Sequence, residues 1–324
     1  MLRRLMFVVL VLGLRPVIAQ ESPTEGLKIE PVAVGPFAAR VVWPLSGTEK
    51  PDLPVWHTFG PRQIASQGYR YDFNRALDIQ CPTGTPIHSL ADGEVRIAGK
   101  HPSYADQVVQ VKHYRPSSGD KCGDAGCWYT TFRHLSEVSV KVGDAVKAGD
   151  VVGRSGANET GFEYCKFDIR DGGLFQRFAI HPLCVLPYAD SGAPKITIDS
   201  VNASKTATAV AVTATCPGDE PDLVRVEVAV FDGAKELGRR SYDMNEWNRA
   251  FTPEKDGTKI LDQQLVHHVN AEPGRFRAGQ TLYELTLVFD DLPVVADKRR
   301  LIVRAKAIDA RGNASTEVER KASR

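Results

Sequence analysis

The stretch Val142-Gly143-Asp144-Ala145-Val146-Lys147-Ala148-Gly149-Asp150, followed closely by Val152-Gly153-Arg154-Ser155-Gly156, decides how this chain is read. Gly-Asp pairs recur between very short apolar pieces. That pattern leaves no room for a helix and suits brief strands joined by turns that need positive φ. Working outward, Val108-Val109-Gln110-Val111-Lys112-His113 and Trp128-Tyr129-Thr130-Thr131-Phe132-Arg133-His134 are runs rich in β-branched and aromatic residues. No segment from Val41 to Tyr188 sustains a helical period, so this part of the chain reads as all-β.

At Asp190-Ser191-Gly192-Ala193-Pro194 the composition changes to that of a linker. Beyond it, Lys195-Ile196-Thr197-Ile198, Ala209-Val210-Ala211-Val212, Val224 to Val230 and Leu301 to Ala307 alternate with period two. Turn residues fall between such runs, and the segment Ile308-Asp309-Ala310-Arg311-Gly312-Asn313 suits a last hairpin. The second half is therefore expected to be an immunoglobulin-like β-sandwich.

Arg3 and Arg4 precede an apolar run from Leu5 to Leu14, and Val17-Ile18-Ala19 offers small residues for cleavage. Residues 1–19 read as a secretory signal peptide. The run is shorter than the roughly 20 residues that span a bilayer, so no transmembrane anchor is expected after cleavage. Residues 20–40 read as an extended lead-in, with domains at 41–189 and 190–324. The 324 residues suffice for two cores. A net charge of +1 lacks the basic surplus a nucleic-acid or anionic-membrane partner would require.

Export gives the 6 cysteines a meaning, because disulfides persist outside the cytosol. Cys122 and Cys127 bracket the turn Gly123-Asp124-Ala125-Gly126, and a bridge there would staple a loop. A zinc site would need a second pair of that kind. Cys165 with Cys184 is read as the next bridge.

The first domain also carries, in order, Phe59-Gly60-Pro61-Arg62, Asn74-Arg75-Ala76-Leu77-Asp78-Ile79, Gly84-Thr85-Pro86-Ile87, Ala91-Asp92-Gly93-Glu94-Val95 and Phe132-Arg133-His134-Leu135-Ser136. With the Gly-Asp stretch this series resembles the LytM/lysostaphin-like zinc metallopeptidases, a family of peptidoglycan endopeptidases. Single pieces are weak, since Gly-Asp-x-Val-x-x-Gly also occurs in lipoyl and biotinyl carriers. The resemblance implies a LytM-type β-sheet core of the duplicated-hybrid-motif kind. It also implies a zinc held by a His-x-x-x-Asp motif and by the second histidine of a His-x-His motif. Two further histidines serve the proton and the oxyanion.

The resemblance assigns Asp78 as the one retained ligand and His134 as the histidine of the Leu-Ser turn. Asn74 stands at the first ligand position. Tyr164-Cys165-Lys166 aligns with the family's His-x-His, so Lys166 replaces a ligand and Tyr164 a catalytic histidine. An amide ligates transition metals poorly, and an ammonium cannot ligate at all. Lys166 would instead put a positive charge where zinc sits. The expectation is a cleft of Asn74, Asp78, Lys166, Tyr164 and His134 with no cofactor, in a secreted, periplasmic protein that binds peptidoglycan peptide or regulates a wall hydrolase. The alternative is an active zinc endopeptidase with a rebuilt metal site. His57 lies too early in the chain to replace a ligand without rearrangement. His88, His113 and His181 read as structural, and His267-His268 points to opposite faces of a strand.

Overall fold

The computed structural model describes residues 37–52, 55–64, 70–117, 122–123, 126–158, 161–190, 192–217, 221–250, 272–273 and 284–321. The signal peptide over 1–19, most of the lead-in and His267-His268 lie outside the described residues.

The first half forms a ten-stranded antiparallel sheet. From edge to edge its main path runs Val55–His57, Leu77–Gln80, Glu163–Asp171, Val151–Ala157, Cys127–Val138, Gln107–Tyr114, Gly93–Gly99 and Ala145–Val146. Three of these strands carry Asp78, Tyr164, Lys166 and His134, and they are called here the aspartate strand (Leu77–Gln80), the lysine strand (Glu163–Asp171) and the histidine strand (Cys127–Val138). Asn74 ends Arg70–Asn74, which pairs with Gly60–Ile64 in a separate two-stranded sheet. The lysine strand is buried from Tyr164 to Arg170, since both of its faces are covered. Leu77, Ile79, Phe132, Phe167 and Trp128 form the core around it.

The second half is a β-sandwich. One antiparallel sheet orders Lys195–Ala203, Thr208–Thr215, Glu284–Leu292 and Glu272–Pro273. The other orders Lys235–Asp243, Leu223–Asp232, Leu301–Asp309 and Val318–Lys321. Alternate residues such as Val210, Val212, Val226, Val228, Leu285, Leu287, Val303 and Ala305 meet in one core, as period two requires. Phe59, Phe73 and Ala179 of the first half pack into that same core. A short helix, Met244–Ala250, seats the two halves together. Asp243 caps it by accepting from the amides of Asn245 and Glu246, each at 2.9 Å. Asn245 then accepts from the His181 amide at 2.7 Å, and Asn248 donates to Ala179 O at 2.8 Å.

The Cys122–Cys127 bridge is present, with a Cα–Cα separation of 5.7 Å. The Cys165–Cys184 pairing is wrong, because both thiols are free and buried. Cys165 pairs in register with Ile79 inside the sheet. Cys184 lies in the 3₁₀ turn Pro182–Cys184, with its sulfur 3.9 Å from Asn245 Nδ2. The turn carries it away from the lysine strand and toward the helix. Burial raises both thiols well above their usual pKa, Cys184 to about 12.

Candidate functional site

Strand register assembles the centre of the site. Lys166 stands directly opposite Asp78 in the pairing of the lysine and aspartate strands. Its ammonium donates to Asp78 Oδ1 at 2.8 Å and to Asn74 Oδ1 at 3.1 Å. Asn74 is buried, and its amide nitrogen donates to Ala76 O at 2.8 Å and Thr58 O at 3.1 Å. Those two carbonyls fix which way the amide faces and leave its oxygen for Lys166. The second Asp78 oxygen lies 3.2 Å from His57 Nδ1. His57 therefore belongs to the site, contrary to the sequence expectation. The bulged pairing of Val55–His57 with the aspartate strand sets His57 opposite Asp78, a proximity that chain order conceals.

His134 lies on the histidine strand, which pairs with the far half of the lysine strand from Lys166–Arg133 to Asp171–Trp128. Its ring is 5.4 Å from that of Tyr164, and the Lys166 ammonium is 6.0 Å from the Tyr164 ring centre. The three groups thus form a continuous row. His134 Nδ1 lies 2.5 Å from Asp106 Oδ2. Asp106 was missed in the sequence, as it sits in a loop with no motif around it.

A second unforeseen feature continues along the lysine strand from this row, on the same face as Tyr164 and Lys166. Asp168 is fully buried and holds both Arg133 and Arg170, the latter through Nε at 2.6 Å. Burial alone would raise the Asp168 pKa, but Arg170 and Arg133 outweigh it and keep the carboxyl below its usual range. Arg170 Nη2 donates onward to the Tyr104 hydroxyl at 3.0 Å. The cluster ties the histidine strand to the lysine strand next to the Lys166–Asp78 pair.

The donor set does not fit zinc. Of the three positions that the resemblance gives to zinc ligands, Asn74 presents an amide, whose nitrogen is committed to backbone carbonyls, and Lys166 an ammonium, which has no lone pair. Asp78 and His57 leave two donors where a closed or catalytic zinc site uses three or four. Among the described residues, carboxylates with metal-ligand spacing occur instead at Asp190, Asp222 and Asp309.

An antiparallel sheet that brings Asn74, Asp78 and Lys166 into contact, with Tyr164 and His134 beside them, agrees with what the resemblance to wall metallopeptidase domains implies. Residues 72–176 match the family model for Peptidase family M23. The cell division protein DipM of Caulobacter vibrioides is 33% identical over 143 residues, which cover 42% of this chain and 20% of that protein. The peptidoglycan DD-endopeptidase ShyA of Vibrio cholerae is 31% identical over 98 residues, covering 30% of this chain and 20% of that one. The chain thus spans about a fifth of each of these relatives. The catalytic domain of lysostaphin from Staphylococcus simulans superposes with a TM-score of 0.33 at 22% identity, over 40% of this chain and 89% of that one. No helix among the described residues is long and apolar enough to cross a membrane.

Proposed function

We propose that this chain is an exported, periplasmic protein whose M23 domain holds peptidoglycan peptide without cleaving it. The observation that supports this reading is the Lys166 ammonium, hydrogen-bonded to Asp78 and Asn74 at the family's metal position. An ammonium supplies positive charge, but neither an open coordination position nor an acidified water. Hydrolysis draws both of those from zinc. What remains is groove chemistry, with His134 and Tyr164 beside a neutralised Lys166–Asp78 pair. On this reading the protein needs no cofactor. Its domains fall at 41–189 and 190–324, and the second, immunoglobulin-like in its strand pattern, serves spacing or docking.

A second reading draws on His57. With its Nδ1 3.2 Å from Asp78, it offers a second donor to a rebuilt metal site, provided Lys166 swings away. The protein would then be an active zinc endopeptidase.

One experiment separates the two. The mature chain is loaded with excess zinc and dialysed, and metal per chain is measured alongside binding and cleavage of a purified muropeptide. Near-zero metal with bound, intact muropeptide is the expected result. About one zinc per chain, lost in Asp78→Ala and accompanied by cleavage, would establish the second reading instead. A chain that ignores muropeptide but raises the rate of a wall hydrolase would make the hydrolase, not the peptide, its partner.

A further inference from the structure

His134 is the one non-glycine among the described residues with a positive φ, at 55°. A left-handed backbone is costly for a residue with a Cβ, even for histidine, which adopts it more often than most. The cause is a double bulge. Toward Gln107–Tyr114, the partners Phe132 and Leu135 face Val109 and Gln107, so the histidine strand carries one extra residue. Toward Val151–Ala157, the partners Leu135 and Glu137 face Ser155 and Arg154, again with one extra. Bulges of this kind re-aim a side chain and are common beside functional sites.

The fold goes to some length to keep this geometry. A Cβ on Gly156 would lie 2.3 Å from His134 O and 2.9 Å from Ser136 N, so the neighbouring strand must be bare there. The Ser136 hydroxyl fastens the second bulge by donating to Ser155 O at 2.6 Å. Asp106 takes Nδ1 at 2.5 Å. Since a carboxylate can only accept, Nδ1 carries the proton, and in the uncharged form of the ring the lone pair then lies on Nε2. Among the described residues Nε2 has no hydrogen-bond partner, and the side chain is 18% exposed. Strain of this kind persists where the surroundings over-determine it, and it marks sites of use.

We infer that Asp106 is a positioning residue that fixes the Nδ1–H tautomer of His134, so that Nε2 accepts a hydrogen bond from an amide N–H of the bound peptide. This rests on the reading of the cleft as a peptide receptor. It gives that receptor a specific contact that needs no metal and moves no proton. An acceptor nitrogen takes an N–H or an O–H donor, and a peptide backbone is the ligand class that presents an N–H at every residue to the receptor proposed above. Tyr164 at 5.4 Å would supply the apolar wall beside it.

The test uses the full mature chain and a disaccharide-tetrapeptide muropeptide, with affinity measured by titration calorimetry. Three variants are compared with wild type: Asp106→Asn, His134→Gly and His134→Asn. Glycine and asparagine both accept the left-handed backbone, so folding is retained by at least one of the histidine variants. The expected result is a loss of affinity of tenfold or more in all three, with a thermal midpoint in His134→Gly equal to or above that of wild type. Ring ¹⁵N shifts should show His134 protonated on Nδ1 in wild type and a mixture of tautomers in Asp106→Asn. Wild-type affinity in the variants, or a proton resident on Nε2, would overturn the assignment of this contact and leave the receptor reading standing. Absence of muropeptide binding by wild type would overturn the receptor reading, and this inference with it.

Discussion

Asp78 and Lys166 keep side-chain exposures of only 4% and 11%, and each is the other's main opposite charge in the buried site. Removing one partner of a buried pair costs far more than the pair contributes, because the survivor is stranded in low dielectric. Lys166→Met is therefore expected to lower unfolding free energy by about 3–5 kcal/mol in urea titrations, and the double variant with Asp78→Asn should recover part of that. The opposite manipulation rebuilds the family site. Asn74→His with Lys166→His sets two imidazoles beside Asp78, and near-stoichiometric zinc by elemental analysis is the expected gain over wild type. The residues concerned were legible in the sequence because each sits at a fixed offset inside a short motif. His57 and Asp106 were not, since neither belongs to a motif and only the folded chain brings them to Asp78 and His134.

Between strands, the glycines divide into two kinds that look alike on paper. Gly143 and Gly149 adopt φ of 90° and 94°, and this is the turn role their Gly-Asp context suggests. Gly93, Gly153 and Gly156 stand inside strands, where an added Cβ would meet a neighbouring carbonyl oxygen at 2.4, 2.6 and 2.3 Å. That requirement is one of close approach and becomes visible only when the partner strand is in place. Gly156→Ala is expected to destabilise by more than about 2 kcal/mol in urea titrations, since the contact is with backbone and cannot be relieved by a rotamer change. The misread Cys165–Cys184 bridge has the same origin. Alternation shows which face Cys165 occupies, yet it says nothing about where the chain goes after Ile180. The all-β reading succeeded because it needed only local patterning.

For the molecule as a whole, the two halves share buried histidines and carboxyls whose ionisation depends on the fold being intact. His113 is pushed down to about 4 by burial, and His181, wedged between the halves beside Thr58, to about 3. The unfolded chain takes up these protons near pH 6.5, so their contribution is complete above that pH and is lost as pH falls toward 4 and 3. By pH 5 each histidine should cost about 2 kcal/mol relative to pH 7. Asp222, raised to about 6 by burial, acts with the opposite sign and regains only about 1 kcal/mol over the same interval. Over this interval the two histidines outweigh Asp222. The urea midpoint should therefore fall between pH 7 and pH 5, while Asp222→Asn raises it at pH 7. Lys166 has a further consequence at this scale. A metalloenzyme is ready only when its surroundings provide the ion, and a chelator or starvation can withhold it. A charge carried on a lysine is laid down with the polypeptide, so such a cleft would be as complete in depleted medium as in rich medium.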